Sequence, residues 1–340
     1  MKIVKGSFPF FVVLLVLLSL SSCSINRLAV RAAGNMLASS GAGTLFTGDE
    51  DPELIADALP LALKLYEGLL SQDPKNSSLL YTAGVGFISY ANAFVHTPAS
   101  MLSDEEYLQQ KQMYTRAKKL YLRGRDYLLT ALEVTHPGIL ELLVEGEIEE
   151  VLARVSVKDT ALLYWSGAGW MGAISLDLFD FAQTMEAYKA VALMAKALEL
   201  SEDYGDGSIH DFFISLYGSM PENMMFRPFD PSKTDVVKEI FNLYYAEKAP
   251  DAKTPRDKAL HHFNRAVELS KGLKASPYLS FATAFSKKED TPKEYLQMLE
   301  TALAINPDDS PENRLMNILS QRKAKYLLDH LEDAFPFYEE

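Results

Sequence analysis

One spacing of small and bulky residues recurs along this chain, and it restricts the fold more than any other feature. Ala62-x3-Tyr66-x2-Leu69-x4-Pro74 sets it out. Positions three, four and seven apart share one face of an α-helix, so the small residue and the aromatic ring point toward the same neighbour. The small residue lets a second helix approach closely, the ring fills the space beside it, and the proline ends the helix. Leu80-x2-Ala83-Gly84-x2-Phe87 continues in register as the first helix of a following unit. The spacing returns as Ala190-x3-Met194-x2-Ala197, Ala259-x3-Phe263-x2-Ala266 and Tyr295-x3-Leu299-x2-Ala302-x4-Pro307, with a degenerate copy at Gly124, Leu128 and Ala131.

This is the spacing of the second helix of a tetratricopeptide (TPR) unit, whose period is about 34 residues. The end positions 202, 271 and 307 are 69 and 36 residues apart, close to two periods and one. Elsewhere 3.6-residue periodicity prevails and no stretch alternates with period two, which argues against strands. The expected fold class is all-α, an irregular TPR-like helical-hairpin superhelix, with insertions near 97–112, 138–157 and 219–254; a non-repeating helical bundle is the alternative. Asp51 suits an N-cap and Pro52 the first helical position, so a helix is expected over 52–72. Further helices are expected over 78–96, with a break at Pro98, then over 104–135, 138–153, 158–179, 184–200 and 206–218, the last capped by Asp206 or Ser208. Beyond them, helices are expected over 232–247, 255–271, 275–286, 291–305 and 310–334.

The N-terminus has a different character. Lys2 and Lys5 precede a nearly continuous apolar run from Phe8 to Leu20, then Leu20-Ser21-Ser22-Cys23. The run is short for a bilayer span, which takes about 20 residues, and its layout is that of a signal peptide over residues 1–22. The ending resembles the lipobox of bacterial lipoproteins, in which the cysteine is acylated and becomes the new N-terminus. Cys23 is the chain's single cysteine, which leaves no partner for an intramolecular disulfide. Acyl chains anchor through about 0.8 kcal/mol per buried CH₂. Ser24 follows where an aspartate would favour inner-membrane retention, so the expected location is the periplasmic side of a bacterial membrane, the outer rather than the inner. Residues 23–50 then form a lipidated helix and a glycine-rich connector, and 51–340 the TPR-like helical domain.

The formal charge is −13, and the mature chain is more acidic still once Lys2 and Lys5 are gone. That balance disfavours nucleic acid as a partner, since phosphates select basic surfaces. No catalytic residue is expected. No G-x-S-x-G elbow or H-E-x-x-H pattern is present. Ser166, within Tyr164-Trp165-Ser166-Gly167-Ala168-Gly169-Trp170, reads as helix packing, and the glycines of residues 41–48 lack a P-loop lysine. Glu202-Asp203-Tyr204-Gly205-Asp206-Gly207 fails the ligand pattern of an EF-hand and reads as a turn. His261 and His262 point to different faces of one helix and are expected to be solvent-exposed. No metal site and no cofactor are expected. Tyr81, Phe87, Tyr90 and Phe94 on one helix, with Tyr164, Trp165 and Trp170 on another, suggest instead an apolar concavity of the kind that holds ligands.

Several blocks carry a family resemblance. They are Ser40-Gly41-Ala42-Gly43-Thr44-Leu45-Phe46-Thr47, Asp51-Pro52-Glu53-Leu54, Leu63-Lys64-Leu65-Tyr66-Glu67 and Tyr121-Leu122-Arg123-Gly124-Arg125-Asp126-Tyr127. Asp203-Tyr204-Gly205-Asp206-Gly207, Ser276-Pro277-Tyr278 and Pro311-Glu312-Asn313-Arg314-Leu315 continue the set. Together they resemble the T-component lipoproteins associated with TRAP transporters, the TatT family; residues 219–250 have no counterpart. The resemblance implies a periplasmic helical protein with a ligand-accessible tunnel, assembling as a homotrimer. It would dock an extracytoplasmic solute-binding protein, the P-component, and hold or pass a small, partly apolar ligand. The expected ligand-facing residues are Gly41, Thr44, Phe46, Tyr81, Val85, Ile88, Trp165 and Trp170. The competing reading is a TPR scaffold of another envelope complex with no ligand of its own.

Overall fold

The computed structural model describes residues 46–226 and 235–338. Helices make up its regular structure, and no strand occurs among the described residues. Helix α1 spans Pro52–Leu70; the Asp51 side chain accepts from Leu54 N–H and Pro52 opens the first turn, as the sequence reading expects. Its buried face is Ile55, Leu59, Leu63, Tyr66 and Leu70, at the i, i+4 spacing of an amphipathic helix.

Helix α2, Ser77–Ala91, is capped by Asn76, whose side chain accepts from Leu79 N–H. The chain stays helical through Asn92–His96 to Ala99 and does not break at Pro98. The backbone widens just before the proline, with Thr97 N–H bonded to Asn92 O in an i→i−5 register. An extra residue in that turn makes room for a ring that would clash with the carbonyl four residues back. Helix α3, Tyr107–Thr135, runs antiparallel to α2: Gly84 lies against Leu128, Ile88 against Gly124, and Asn92 Nδ2 donates to Tyr121 Oη at 3.1 Å. At the crossing, a Cβ on Gly84 would stand 2.9 Å from the Gly124 carbonyl, and one on Gly124 2.7 Å from the Gly84 carbonyl. Only glycine on both sides permits so close an approach.

The helix expected over 138–153 is two, α4 (Ile139–Glu145) and α5 (Ile148–Arg154), because Gly146 takes a left-handed conformation with φ 76°. Helix α6, Thr160–Ser175, packs antiparallel on α3, with Trp170 opposite Arg125 and Lys118 bonded to Asp177 and Asp180 at 2.7 and 2.8 Å. Helix α7, Ala187–Leu200, packs on α6; Ala187, Ala190, Ala192, Ala195 and Ala197 are all buried, so it is enclosed on nearly every side.

Helix α8 spans Ser208–Ser219, α9 Val236–Lys248 and α10 Pro255–Leu269. The α8 cap differs from expectation. Gly207 occupies the N-cap with no side-chain cap, and Ser208 Oγ donates back to Gly205 O. Helix α11, Ser276–Phe281, continues through a wide turn to Ser286; α12, Pro292–Ala304, and α13, Arg314–Asp329, follow. The small residues of the repeat lie at helix contacts: Gly84, Ala190, Ala259 and Ala302 are buried, and Ala62 is half-buried. Finally, α13 returns to α1. Arg322 pairs with Glu53 through both terminal guanidinium nitrogens, and Arg314 Nη1 donates to Gly48 O at 3.2 Å. The two ends of the described helical array thus touch.

Candidate functional site

The aromatic residues singled out in the sequence divide between two environments. Tyr81 and Val85 on α2, and Trp165 on α6, are half-buried. Trp165 stands edge-on to Tyr164 at 5.3 Å, and Tyr164 in turn lies 5.3 Å from Tyr204. The Tyr81 hydroxyl lies near the Tyr204 hydroxyl and the Trp165 indole. These four rings form one wall. Ile88 and Trp170 lie elsewhere. Ile88 fills the space left by Gly124 and Gly169, and Trp170, 4% exposed, stacks beneath the Arg125 guanidinium at 4.8 Å. Trp170 stands five positions after Trp165, which turns the two about 140° apart on a helix. Phe46 packs half-buried against the N-terminal core. Gly41, Thr44 and Cys23 lie outside the described residues.

Sequence reasoning did not single out several half-buried polar groups. His210 and Asp211 on α8 together interrupt the apolar stretch Ile209 to Ile214, and that interruption is the one legible signal. Burial raises the pKa of Asp211 against the hydroxyls of Ser276 and Ser280 on α11 and the charge of Lys274. Its Oδ1 atom is buried with no hydrogen-bond partner. Lys274 donates to Gly205 O and to Ser208 Oγ, the latter at 3.1 Å, and burial depresses its pKa against the nearby carboxylates of Asp206, Asp211 and Glu312. On α13, burial likewise lowers Lys323. His96, at the end of α2, is pushed down to about 4 by burial and by the Lys323 charge. Tyr81, Tyr164, Tyr204, Asp211, Lys274, Lys323 and His96 each keep some accessible surface. Burial is nevertheless the first cause of every one of these shifts.

A second polar cluster corrects an expectation. His262 is fully buried, not solvent-exposed, and His261 is half-buried. His262 Nδ1 meets His210 Nδ1 at 2.8 Å, its Nε2 meets Tyr245 Oη at 2.7 Å, and Tyr245 donates to Tyr217 Oη at 2.8 Å. That last bond fixes the direction of the rest. The Tyr245 oxygen accepts from His262 Nε2–H, so His262 Nδ1 is the acceptor for His210 Nδ1–H. Both histidines are then neutral, and burial holds His210 down to about 3 and His262 well below the usual range. Nothing in the sequence marks the pairing, because His210 and His262 are 52 residues apart. Among the described residues no group of three His, Cys, Asp or Glu side chains is placed to hold a metal ion.

Among the described residues, one exposed apolar cluster is contiguous in sequence. Leu178, Phe179, Phe181 and Met185, just beyond α6, are 55%, 86%, 71% and 61% exposed.

Comparison with known proteins agrees with the resemblance read from the sequence. An uncharacterised protein of Treponema pallidum (strain Nichols) is 31% identical over 330 residues, spanning 93% of this chain and 94% of the relative. The family model described as TRAP transporter T-component matches residues 48–225 and 232–335, which takes in every helix described above. The chain therefore belongs to the TRAP transporter T-component family.

Proposed function

We propose that this protein is the periplasmic lipoprotein accessory of a TRAP-type uptake system, docking a solute-binding protein and holding a small, partly apolar ligand inside its helical array. Family membership across nearly all the described helices carries the reading. The return of α13 to α1 supports an enclosed interior, and so does the set of accessible yet desolvated groups on α2, α6, α8 and α13. In this reading the array is an irregular TPR-like superhelix whose lumen is ringed by those helices. The solute-binding protein docks on the outer surface, where Leu178, Phe179, Phe181 and Met185 form an apolar patch of the kind that marks protein contacts. The assembly is a homotrimer. The test is affinity capture from periplasmic extract, followed by native mass spectrometry. Recovery of a TRAP solute-binding protein with a trimeric bait supports the reading. Recovery of cell-wall or secretion components alone replaces it with a general envelope scaffold, a reading favoured by the solid packing of Ile88 and Trp170.

The lipid anchor is part of the same proposal. Cys23→Ala is expected to abolish acylation and leave an unprocessed or soluble form, read as a changed mass and a loss from the membrane fraction. A variant that still fractionates with the membrane at the wild-type mature mass contradicts the anchor.

A further inference from the structure

Helix α3 is basic on an acidic protein. Between Tyr107 and Thr130 it carries Lys111, Arg116, Lys118, Lys119, Arg123 and Arg125 against Asp126 alone, which leaves the rest of the chain more acidic than its formal −13. Ala117, Tyr121, Gly124 and Leu128 are buried against the core. The helix period puts Leu108, Gln112, Thr115, Lys119, Arg123 and Asp126 on the opposite face, and all six are exposed. Lys111 and Leu122 flank that face on the side of Lys118 and Arg125. Two shallow depressions lie along it. The larger, of about 470 Å³, includes Lys119, Leu122, Arg123 and Tyr127 in its lining, and the smaller, of about 370 Å³, is lined by Leu108, Lys111, Gln112 and Thr115. Lys111 and Lys119 have no ion-pair partner among the described residues. Glu67 of α1 borders one edge, accepting from Tyr127 Oη at 2.9 Å and pairing with Arg123 at 3.3 Å. Along the other edge Lys118 bonds Asp177 and Asp180, and Arg125 Nη1 donates to Gln183 Oε1 at 3.1 Å. Those bonds fasten to α3 the segment that carries the exposed Leu178, Phe179, Phe181 and Met185.

We propose that the outer face of α3 and the adjoining segment at 178–185 form one docking surface for an acidic protein, whose contacting area sets carboxylates around an apolar socket. The proposal rests on the docking reading above, in which that protein is the solute-binding protein. Phe179 and Phe181 enter the socket, and a segment already fastened by three side-chain bonds loses little freedom in doing so. Lys111, Lys119 and Arg123 meet the carboxylates around it. Exposed charges of this kind add little to the strength of the contact but speed the encounter. The acidic remainder of the chain repels the same partner, so the approach is turned toward α3. An anionic bilayer is a poorer match, because it faces the acidic remainder as well as this one stripe.

The experiment follows binding of the purified TRAP solute-binding protein from the same cell to the full chain in detergent, with association and dissociation rates read separately. Between about 0.1 M and about 1 M NaCl, where the screening length falls from about 10 to about 3 Å, association is expected to slow about tenfold. Lys111→Glu with Lys119→Glu should slow it at least fivefold at the lower salt and leave dissociation nearly unchanged. The same charge change at Lys287 and Lys293, which are exposed near and on α12, should slow it less than twofold. Phe179→Ser with Phe181→Ser should instead speed dissociation about tenfold. All of these side chains are exposed, so the variants are expected to fold. Association indifferent to salt, or slowed equally by the two lysine pairs, overturns this surface and leaves solute-binding-protein docking standing. No binding at either salt overturns both. A preference of the wild-type chain for phosphatidylglycerol over phosphatidylcholine vesicles that the Lys111 and Lys119 variant loses replaces the protein partner with a lipid surface. Self-association lost in that variant replaces it with a second copy of this chain.

Discussion

Acidification from pH 7 to pH 4.5 is expected to strip several kcal/mol from the folding stability of this protein, with most of the loss beginning below pH 6.5. The cause is a set of histidines that the fold keeps neutral. His210 is held down to about 3 and His96 to about 4, and His262 also lies well below its ordinary range, all chiefly by burial. In the unfolded chain each titrates near 6.5. The sign follows. Above 6.5 neither state binds the proton and each group's contribution is fully present; as pH falls below 6.5 only the unfolded chain gains protons, and stability declines until the folded-state pKa is reached. One pKa unit is worth about 1.4 kcal/mol, so the window from pH 6.5 to 4.5 amounts to about 3 kcal/mol for His96, and the bonded His210–His262 pair adds to the loss as one coupled unit.

The groups packed around the histidine pair reinforce the effect. Arg265 and His261 disfavour a further positive charge at His210, and Lys258 lies over the Tyr217 and Tyr245 rings while paired with Glu222. Asp211 acts with the opposite sign, since its raised pKa means that the folded state takes up a proton first. It offsets part of the loss. Urea unfolding at pH 7, 5.5 and 4.5 reads the slope directly. His210→Gln should be less stable at pH 7 but should show a shallower decline on acidification. An unfolding free energy that stays level between pH 6.5 and 4.5, or an unchanged slope in the variant, would falsify this account of the histidines.

The second large effect is expected at the crossing of α2 and α3. In Gly124→Val, the new Cβ would lie 2.6 Å from Ile88 Cγ1 and 2.7 Å from the Gly84 carbonyl oxygen. Ile88 could turn aside, but the carbonyl moves only if the two helices separate, and that opens the core they share with α6. Overpacking costs about 1–3 kcal/mol where a side chain can give way. With backbone on the far side, the upper end or beyond is expected, seen as a melting temperature lowered by about 5 °C or more. Gly68 supplies the contrast. It sits on α1, where an added Cβ would meet nothing within 4 Å, so Gly68→Ala should be neutral or stabilising by up to about 1 kcal/mol from helix propensity alone. Equal melting temperatures for the two variants would show that the helices at this crossing are not in the contact described.

Local order could be read directly from the residues. Helix starts were legible at Asp51-Pro52, where a cap and a proline act within one turn. The small residues at 84, 190, 259 and 302 fall at crossings because their spacing from the bulky residues is fixed by the helix period. Even the divergence of Trp165 and Trp170 follows from that period. The break at Gly146 and the unbroken helix at Pro98 did not follow, since one residue in either helix chooses between two backbone geometries of similar local cost. Pairings between distant segments emerged only once the helices were packed. They bring His210 to His262, Tyr204 to Tyr164, Asp211 to Ser276 and Ser280, and Arg322 to Glu53. A histidine or aspartate carries no mark in the sequence that says whether water will reach it. That depends on which helices close over it, and for His210 the closing residue, His262, is 52 positions away in the sequence.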